Sequence, residues 1–162
     1  MSQLYETLNA TPHHVGCAVA AIETSYATYG HVLGLTRRTR EIEVPGQGVR
    51  VCFVELHAGF FLELVAPTRE HKKFAPYLKI GFYHLCFLVE SLQTEAAKLL
   101  TAGFHQLPHF ASEAFAGARC QFLMSPDDMH LIELAEMSTH DFQAHFERNL
   151  YQEPATASAG PG

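Results

Sequence analysis

Positive charge is scarce in this sequence of 162 residues, which holds 11 Lys and Arg against 17 Asp and Glu and carries a formal net charge of −6. Nucleic-acid binding requires clustered Lys and Arg, so we expect no nucleic-acid partner. The only basic runs are Arg37-Arg38-Thr39-Arg40 and His71-Lys72-Lys73. We interpret them as solvated edges, or alternatively as anchors for an anionic substrate.

Long apolar runs and closely spaced cysteines are also missing. Residues 1–12 (MSQLYETLNATP) are polar, and no apolar run reaches the length of a membrane span. We therefore expect no secretory signal, no membrane partner and a cytoplasmic location. Four isolated cysteines lie in apolar segments without CxxC spacing: Cys17, Cys52, Cys86 and Cys120. In the cytoplasm this pattern favours buried core residues over disulfides or a zinc cluster.

An internal repeat at an offset of 70 residues is the main positive feature of the sequence. His14-Val15 aligns with His84-Leu85, and Leu62-Glu63-Leu64 aligns with Ile132-Glu133-Leu134. Phe53-Val54 falls on Leu123-Met124 without a gap. A constant offset across a whole half predicts an internal duplication.

Each half is predicted to fold as a βαβββ module. The first module, about residues 12–66, comprises a strand at 13–20, a helix at 22–33 ended by Gly34, and strands at about 36–43, 49–56 and 60–66. The second, about residues 82–137, comprises a strand at 82–89, a helix at 92–102 ended by Gly103, and strands at about 105–110, 118–124 and 130–136.

The remaining segments complete one predicted domain over residues 1–151. Residues 67–81 form the linker, and residues 138–151 form a helix whose apolar face is Phe142, Phe146 and Leu150. Residues 152–162 are expected to be a disordered tail. The predicted fold class is α+β, with the two modules forming a curved mixed sheet or open barrel around a metal site.

Four side chains that can bind a metal occupy equivalent positions in the two halves. The spacing from His14 to Glu63 is 49 residues, and the spacing from His84 to Glu133 is the same. Each His lies in the first strand of its half and each Glu in the last. If those strands are neighbours and the halves pair about a pseudo-twofold axis, the four side chains meet at one point. Such an N2O2 set leaves room for water or substrate, as in catalytic sites.

The two glutamates support this prediction because each lies in an apolar strand. A buried carboxylate needs a cation, a positive partner or a proton, and neither strand contains Lys or Arg. We therefore predict one divalent metal ion (Co, Ni, Zn, Mn or Fe) held by His14, Glu63, His84 and Glu133. In regular strands His13 and Tyr83 face away from this site, whereas Cys86 lies on the same face as His84 as a small filler.

These motifs resemble the vicinal-oxygen-chelate superfamily, which contains glyoxalase I, methylmalonyl-CoA epimerase, extradiol dioxygenases and bleomycin-resistance proteins. The resemblance covers about residues 12–137, and segments 44–53 and 74–84 are most similar to methylmalonyl-CoA epimerase. It implies the same four metal ligands and favours Glu133 over Glu63 as the catalytic base. Val51 stands where some epimerases have a carboxylate, and a shorter turn occupies 125–129. Members of the superfamily often form homodimers, which we expect here.

The predicted function is a metal-dependent epimerase or isomerase that removes a proton next to the carbonyl of a small-molecule substrate, with an acyl thioester among the candidates. The catalytic base is Glu133 or Glu63. The alternatives are a glyoxalase-I-like lyase acting on a thiol adduct, a small-molecule-binding protein of the resistance type, and an Fe(II) dioxygenase. The fourth donor, Glu63, disfavours the dioxygenase, because those enzymes use two His and one carboxylate.

Overall fold

A computed structural model describes residues 6–68 and 81–153 of the chain. The basic run at 71–73, residues 69–80 of the predicted linker (67–81) and residues 154–162 of the predicted tail (152–162) lie outside the described residues, so the predictions for those segments stay predictions.

The first half follows the predicted order, with one shortened strand. Its elements are β1 (Ala10–Ala18), α1 (Ile22–Ala27) continued by a π-helical turn (Thr28–Val32), β2 (Ile42–Val44), β3 (Val49–His57) and β4 (Phe60–Pro67). The helical segment ends before Gly34, whose φ of +71° favours glycine. The predicted strand at 36–43 is mostly absent, because Arg38 and Thr39 form only isolated bridges with Val54 and Leu150.

The second half repeats this order. Its elements are β5 (Gly81–Val89), α2 (Leu92–Thr101), β6 (His105–Gln106), β7 (Phe110–Ser112), a 3-10 turn (Glu113–Phe115), β8 (Ala118–Met124), β9 (Leu131–Glu136) and α3 (Thr139–Arg148). The predicted strand at 105–110 is split between β6 and β7. Ser91 and Ser138 begin α2 and α3 as N-caps, each accepting a backbone N–H three residues later.

One mixed sheet contains all of these strands in the order β2-β3-β4-β1-β5-β9-β8-β6, with β7 also paired to β8. β1 is parallel to β4, β5 is parallel to β9, and the two halves join through the antiparallel pair β1–β5. The first and last strands of each half are therefore neighbours. This curved sheet with three helices confirms the predicted α+β class.

The strand register shows the pseudo-twofold symmetry directly. Gly16 pairs with Glu63 and Cys86 with Glu133, while across the centre Gly16 pairs with His84 and His14 with Cys86. Exchanging the halves at an offset of 70 leaves these pairings unchanged.

The gap-free alignment is wrong in one place, the hairpin before the last strand. Phe53 pairs with Glu63, but Phe122 pairs with Glu133. Phe122 is therefore the structural equivalent of Phe53, and Leu123 is not. The β8–β9 connection is one residue longer than its counterpart.

The two faces of the sheet are covered differently. On the convex face, α1 packs through Ile22 against a cluster that includes Leu62 and Leu64, and α2 packs through Leu92 and Leu99. On the other face one apolar cluster joins Val44 of β2 and Cys120 of β8, which lie towards opposite edges of the sheet, with Phe142 and Phe146 of α3. This face is therefore concave, and α3 lies on it. Within the described ranges, no helix has the length and apolar character needed to cross a membrane.

Candidate metal centre

The four predicted ligands meet on the concave face of the four central strands. His14 Nε2 lies 3.2 Å from Glu63 Oε2 and 3.3 Å from Glu133 Oε2. His84 Nε2 lies 3.4 Å and 3.1 Å from the same two oxygens. The two imidazole Nε2 atoms are 2.8 Å apart. Each residue is at most 5% exposed.

This arrangement fits a divalent cation. Around an ion bound at about 2.0–2.2 Å, adjacent ligand atoms lie roughly 3–3.5 Å apart, close to the separations between these nitrogens and oxygens. Glu133 Oε2 is buried without a well-formed hydrogen bond, although both imidazoles are near it. The four ligand atoms are therefore arranged around one common point rather than as separate hydrogen-bonded pairs. Two imidazoles and two carboxylates are suitable ligands for Zn, Co, Ni, Mn or Fe. Metal binding by these four residues stays our prediction.

Gly16 is a site residue that we did not single out from the sequence. A Cβ atom built on Gly16 would lie 2.6 Å from His84 Nε2 and closer still to two other atoms of that ring. The His84 imidazole therefore lies directly over the backbone of β1, where only glycine leaves room. An isolated glycine within a strand often marks such a close approach, so a sequence signal did exist.

His13 does not face away from the site as expected. The pairing of β1 with β5 shifts between Pro12 and His14, and His13 is only 2% exposed. Its Nδ1 lies 2.8 Å from His14 Nδ1. Its ring packs among four aromatic rings, those of Phe53, Phe61, Phe115 and Phe142. Pro12 could have indicated the irregularity, because proline within a strand often marks a bulge.

Tyr83 also departs from its predicted position, whereas Cys86 agrees with the filler interpretation. A second register shift lies between Gly16 and Cys17, and the Tyr83 ring centroid is 4.4 Å from that of His84. Tyr83 packs against the concave-face cluster. Cys86 is fully buried in that cluster, and burial raises the pKa of its thiol well above the usual value. Three further histidines, His57, His105 and His109, are exposed and outside the four-residue group.

The charges around the centre favour protonation of His14 when no cation is bound. Burial opposes a charged imidazole, but Glu63 and Glu133 outweigh it and raise the pKa of His14 from 6.5 to about 9. Burial also opposes ionisation of Glu133, yet the nearby imidazoles of His14 and His84 lower its pKa below the usual range. A bound cation would take the place of the proton on His14.

Metal affinity is therefore expected to rise with pH until about pH 9. The pKa of His14 is raised to about 9, so its imidazole is protonated at neutral pH and must lose that proton to bind a metal. Each pH unit below that value should weaken binding by about tenfold, and about one proton should be released per metal bound near pH 7. Calorimetric titration in buffers of different ionisation enthalpy measures both quantities. Affinity that does not change with pH would contradict this protonation state.

Comparison with known proteins agrees with this fold. Residues 13–122 match the model of the Glyoxalase/Bleomycin resistance protein/Dioxygenase superfamily. Among solved structures, a hypothetical protein from Bacillus halodurans C-125 is similar over 81% of this chain and 96% of that chain, at 23% identity and a TM-score of 0.69. No match to a curated protein was found.

Two further similar structures are epimerases. Methylmalonyl-CoA epimerase from Mycobacterium tuberculosis is 27% identical over 79% of this chain and 88% of that chain, with a TM-score of 0.65. A single-residue variant of methylmalonyl-CoA epimerase from Streptomyces coelicolor, in complex with 2-nitronate-propionyl-CoA, is 25% identical. The similarity covers 78% of this chain and 97% of that chain, with a TM-score of 0.63.

Proposed function

The chain belongs to the glyoxalase/bleomycin resistance protein/dioxygenase superfamily, and we propose that within it the protein is a metal-dependent epimerase or isomerase that removes a proton next to a substrate carbonyl. The observation that carries this proposal is a pair of buried carboxylates, Glu63 and Glu133, related by pseudo-twofold symmetry about two imidazoles. The similarity to methylmalonyl-CoA epimerases supports it and makes an acyl thioester a candidate substrate.

Binding of the cation is assigned to His14, Glu63, His84 and Glu133. A divalent cation held there supplies Lewis acidity, which favours loss of a proton from the carbon next to a carbonyl. Burial of all four side chains limits access of bulk water to the centre.

Proton transfer is assigned to the two carboxylates. We propose Glu133 as the group that takes the proton from the substrate carbon. Glu63, at the equivalent position of the other half, lies on the opposite side of the pseudo-twofold axis. Delivery of a proton from that side inverts the carbon, whereas return to the neighbouring carbon gives a glyoxalase-type isomerisation. One pair of carboxylates thus supports both outcomes.

The alternative functions are less well supported by the donor set. An Fe(II) dioxygenase leaves positions open for oxygen and substrate around two His and one carboxylate, whereas four donors converge here. A binding protein that works without metal has no need for buried carboxylates facing two imidazoles, since such charges are costly to bury.

Replacement of Glu133 by glutamine is expected to slow deuterium exchange in D2O by about 100-fold to 10,000-fold, because the amide cannot accept the proton. The measurement follows deuterium uptake next to the carbonyl of candidate acyl thioesters by NMR, with metal-loaded protein. The matched control is Glu136→Gln on the same strand, since Glu136 pairs with Arg119 away from the site. Uptake at the normal rate in Glu133→Gln would remove Glu133 as the base. Absence of metal-dependent uptake on every thioester would count against proton abstraction.

A further inference from the structure

Side chains at equivalent positions in the two halves of the concave site differ strongly in their exposure to solvent. Phe53 neighbours Glu63 across β3–β4, and its structural equivalent Phe122 neighbours Glu133 across β8–β9. Phe53 is 0% exposed, whereas Phe122 is only half-buried. The next equivalent pair shows the same difference, since Phe61 is 1% exposed and Leu131 is half-buried. The pseudo-symmetry of the ligands is therefore not shared by their surroundings.

Helix α3 contributes to the difference by covering Phe53 and Phe61 of the first half, although it also contacts Phe115 of the second half. The Phe142 ring centroid lies 5.1 Å from that of Phe53 and 5.1 Å from that of Phe61. Arg37 also forms a 2.6 Å ion pair with Glu147 of this helix. The helix lies beyond residues 13–122, the part that matches the superfamily model.

The second half has a half-buried apolar surface beside His84 and Glu133, which we call the aromatic mouth. It consists of five half-buried residues, Tyr83, Phe110, Phe122, Met124 and Leu131. The Phe122 ring centroid lies 5.2 Å from that of His84 and 5.7 Å from that of Phe110, with which it is stacked. Met124 pairs with Leu131 on the neighbouring strand.

We infer that substrate enters across the aromatic mouth and is a chelating carbonyl compound that carries an apolar group, best a planar aromatic one. The basis for this inference is the contact seen in the first half, where the phenyl ring of Phe142 packs on Phe53. Phe122 is half-buried with Phe110 stacked beside it, so a substrate ring placed against its exposed part would bury apolar area and contact an aromatic ring. This inference rests on the proposed function, since it places that ring beside the proposed metal.

The test uses two probes that chelate a metal through the same pair of oxygens, benzohydroxamate and acetohydroxamate. Their affinities for the cobalt-loaded protein are measured by the change in its visible spectrum. Benzohydroxamate should bind more tightly, and Phe122→Ala should reduce the ratio of the two affinities by about tenfold, as expected when one phenyl contact is lost. The matched control is Phe87→Ala, because Phe87 is a half-buried phenylalanine that packs with the α2 cluster.

The outcomes separate this inference from the proposed function. An unchanged ratio in Phe122→Ala, an equal decrease in Phe87→Ala, or failure of both probes to bind the cobalt-loaded protein would overturn the aromatic mouth as the substrate site. Each of these results leaves the metal centre in place. Failure of the protein to bind cobalt or any other divalent ion would instead overturn the proposed function, and with it the inference.

Discussion

Replacing His84 by alanine is expected to weaken divalent-metal binding by at least about 100-fold. The change removes one of the two nitrogen donors, and loss even of a group that only orients a ligand costs about 10–100-fold in affinity. It also leaves Glu63 and Glu133 beside a single imidazole, so like charges lie close together in a buried site. Elemental analysis after dialysis, followed by titration with cobalt, measures the effect.

Two further variants make the His84 result interpretable. His57→Ala removes an exposed histidine at the end of β3, so its metal content should equal that of the unmodified protein. Glu63→Gln keeps the shape of the side chain and an oxygen donor, so it should lower affinity to a smaller degree than His84→Ala. Circular dichroism of each variant checks that the sheet is formed. Unchanged metal content in both His84→Ala and Glu63→Gln would show that these residues do not form the centre.

Replacing Gly16 by alanine should lower metal affinity nearly as much as removing His84, although glycine carries no ligand atom. The new Cβ would lie 2.6 Å from His84 Nε2, so the imidazole must move away from its present place. The ring has little room, since its centroid lies 4.4 Å from that of Tyr83 and 5.2 Å from that of Phe122. Cobalt titration of Gly16→Ala measures the effect.

The control for this prediction is Gly46→Ala in an exposed turn, where a Cβ meets no atom within 4 Å. That variant should bind metal normally. The double variant Gly16→Ala/His84→Ala should bind no more weakly than His84→Ala alone, because both changes act through one ring and are not additive. Normal affinity in Gly16→Ala, or a further loss in the double variant, would contradict the proposed role of Gly16.

Much of the fold could be predicted because the chain repeats itself. Glycines at 34 and 103 end the two helices, and apolar runs of strand length recur at the same offset in both halves. The 49-residue spacing predicted that each histidine would lie beside the glutamate of its own half, which is where the β1–β4 and β5–β9 pairs place them. A repeated pattern helps to predict tertiary contacts because the two copies of the repeated unit pack about one axis.

The errors came from irregular strands, where the alternation of side chains along a strand fails. His13 and Tyr83 were assigned to the far face by that alternation, but a register shift lies beside each of them. The equivalence of Phe53 with Leu123 failed because the second hairpin is one residue longer. One extra residue in a strand reverses the side chains that follow it within that strand, and a periodic pattern cannot locate it.

The sequence by itself determined the composition of the candidate centre, two histidines and two glutamates in duplicate positions. Only the tertiary structure decided what surrounds those four residues. The sequence showed the apolar face of α3 but not which part of the sheet it covers. That position depends on contacts between distant segments, such as those of Phe142 with Phe53 and Phe61. Local periodicity specifies elements and their faces, whereas the closure of one half of the site depends on long-range packing.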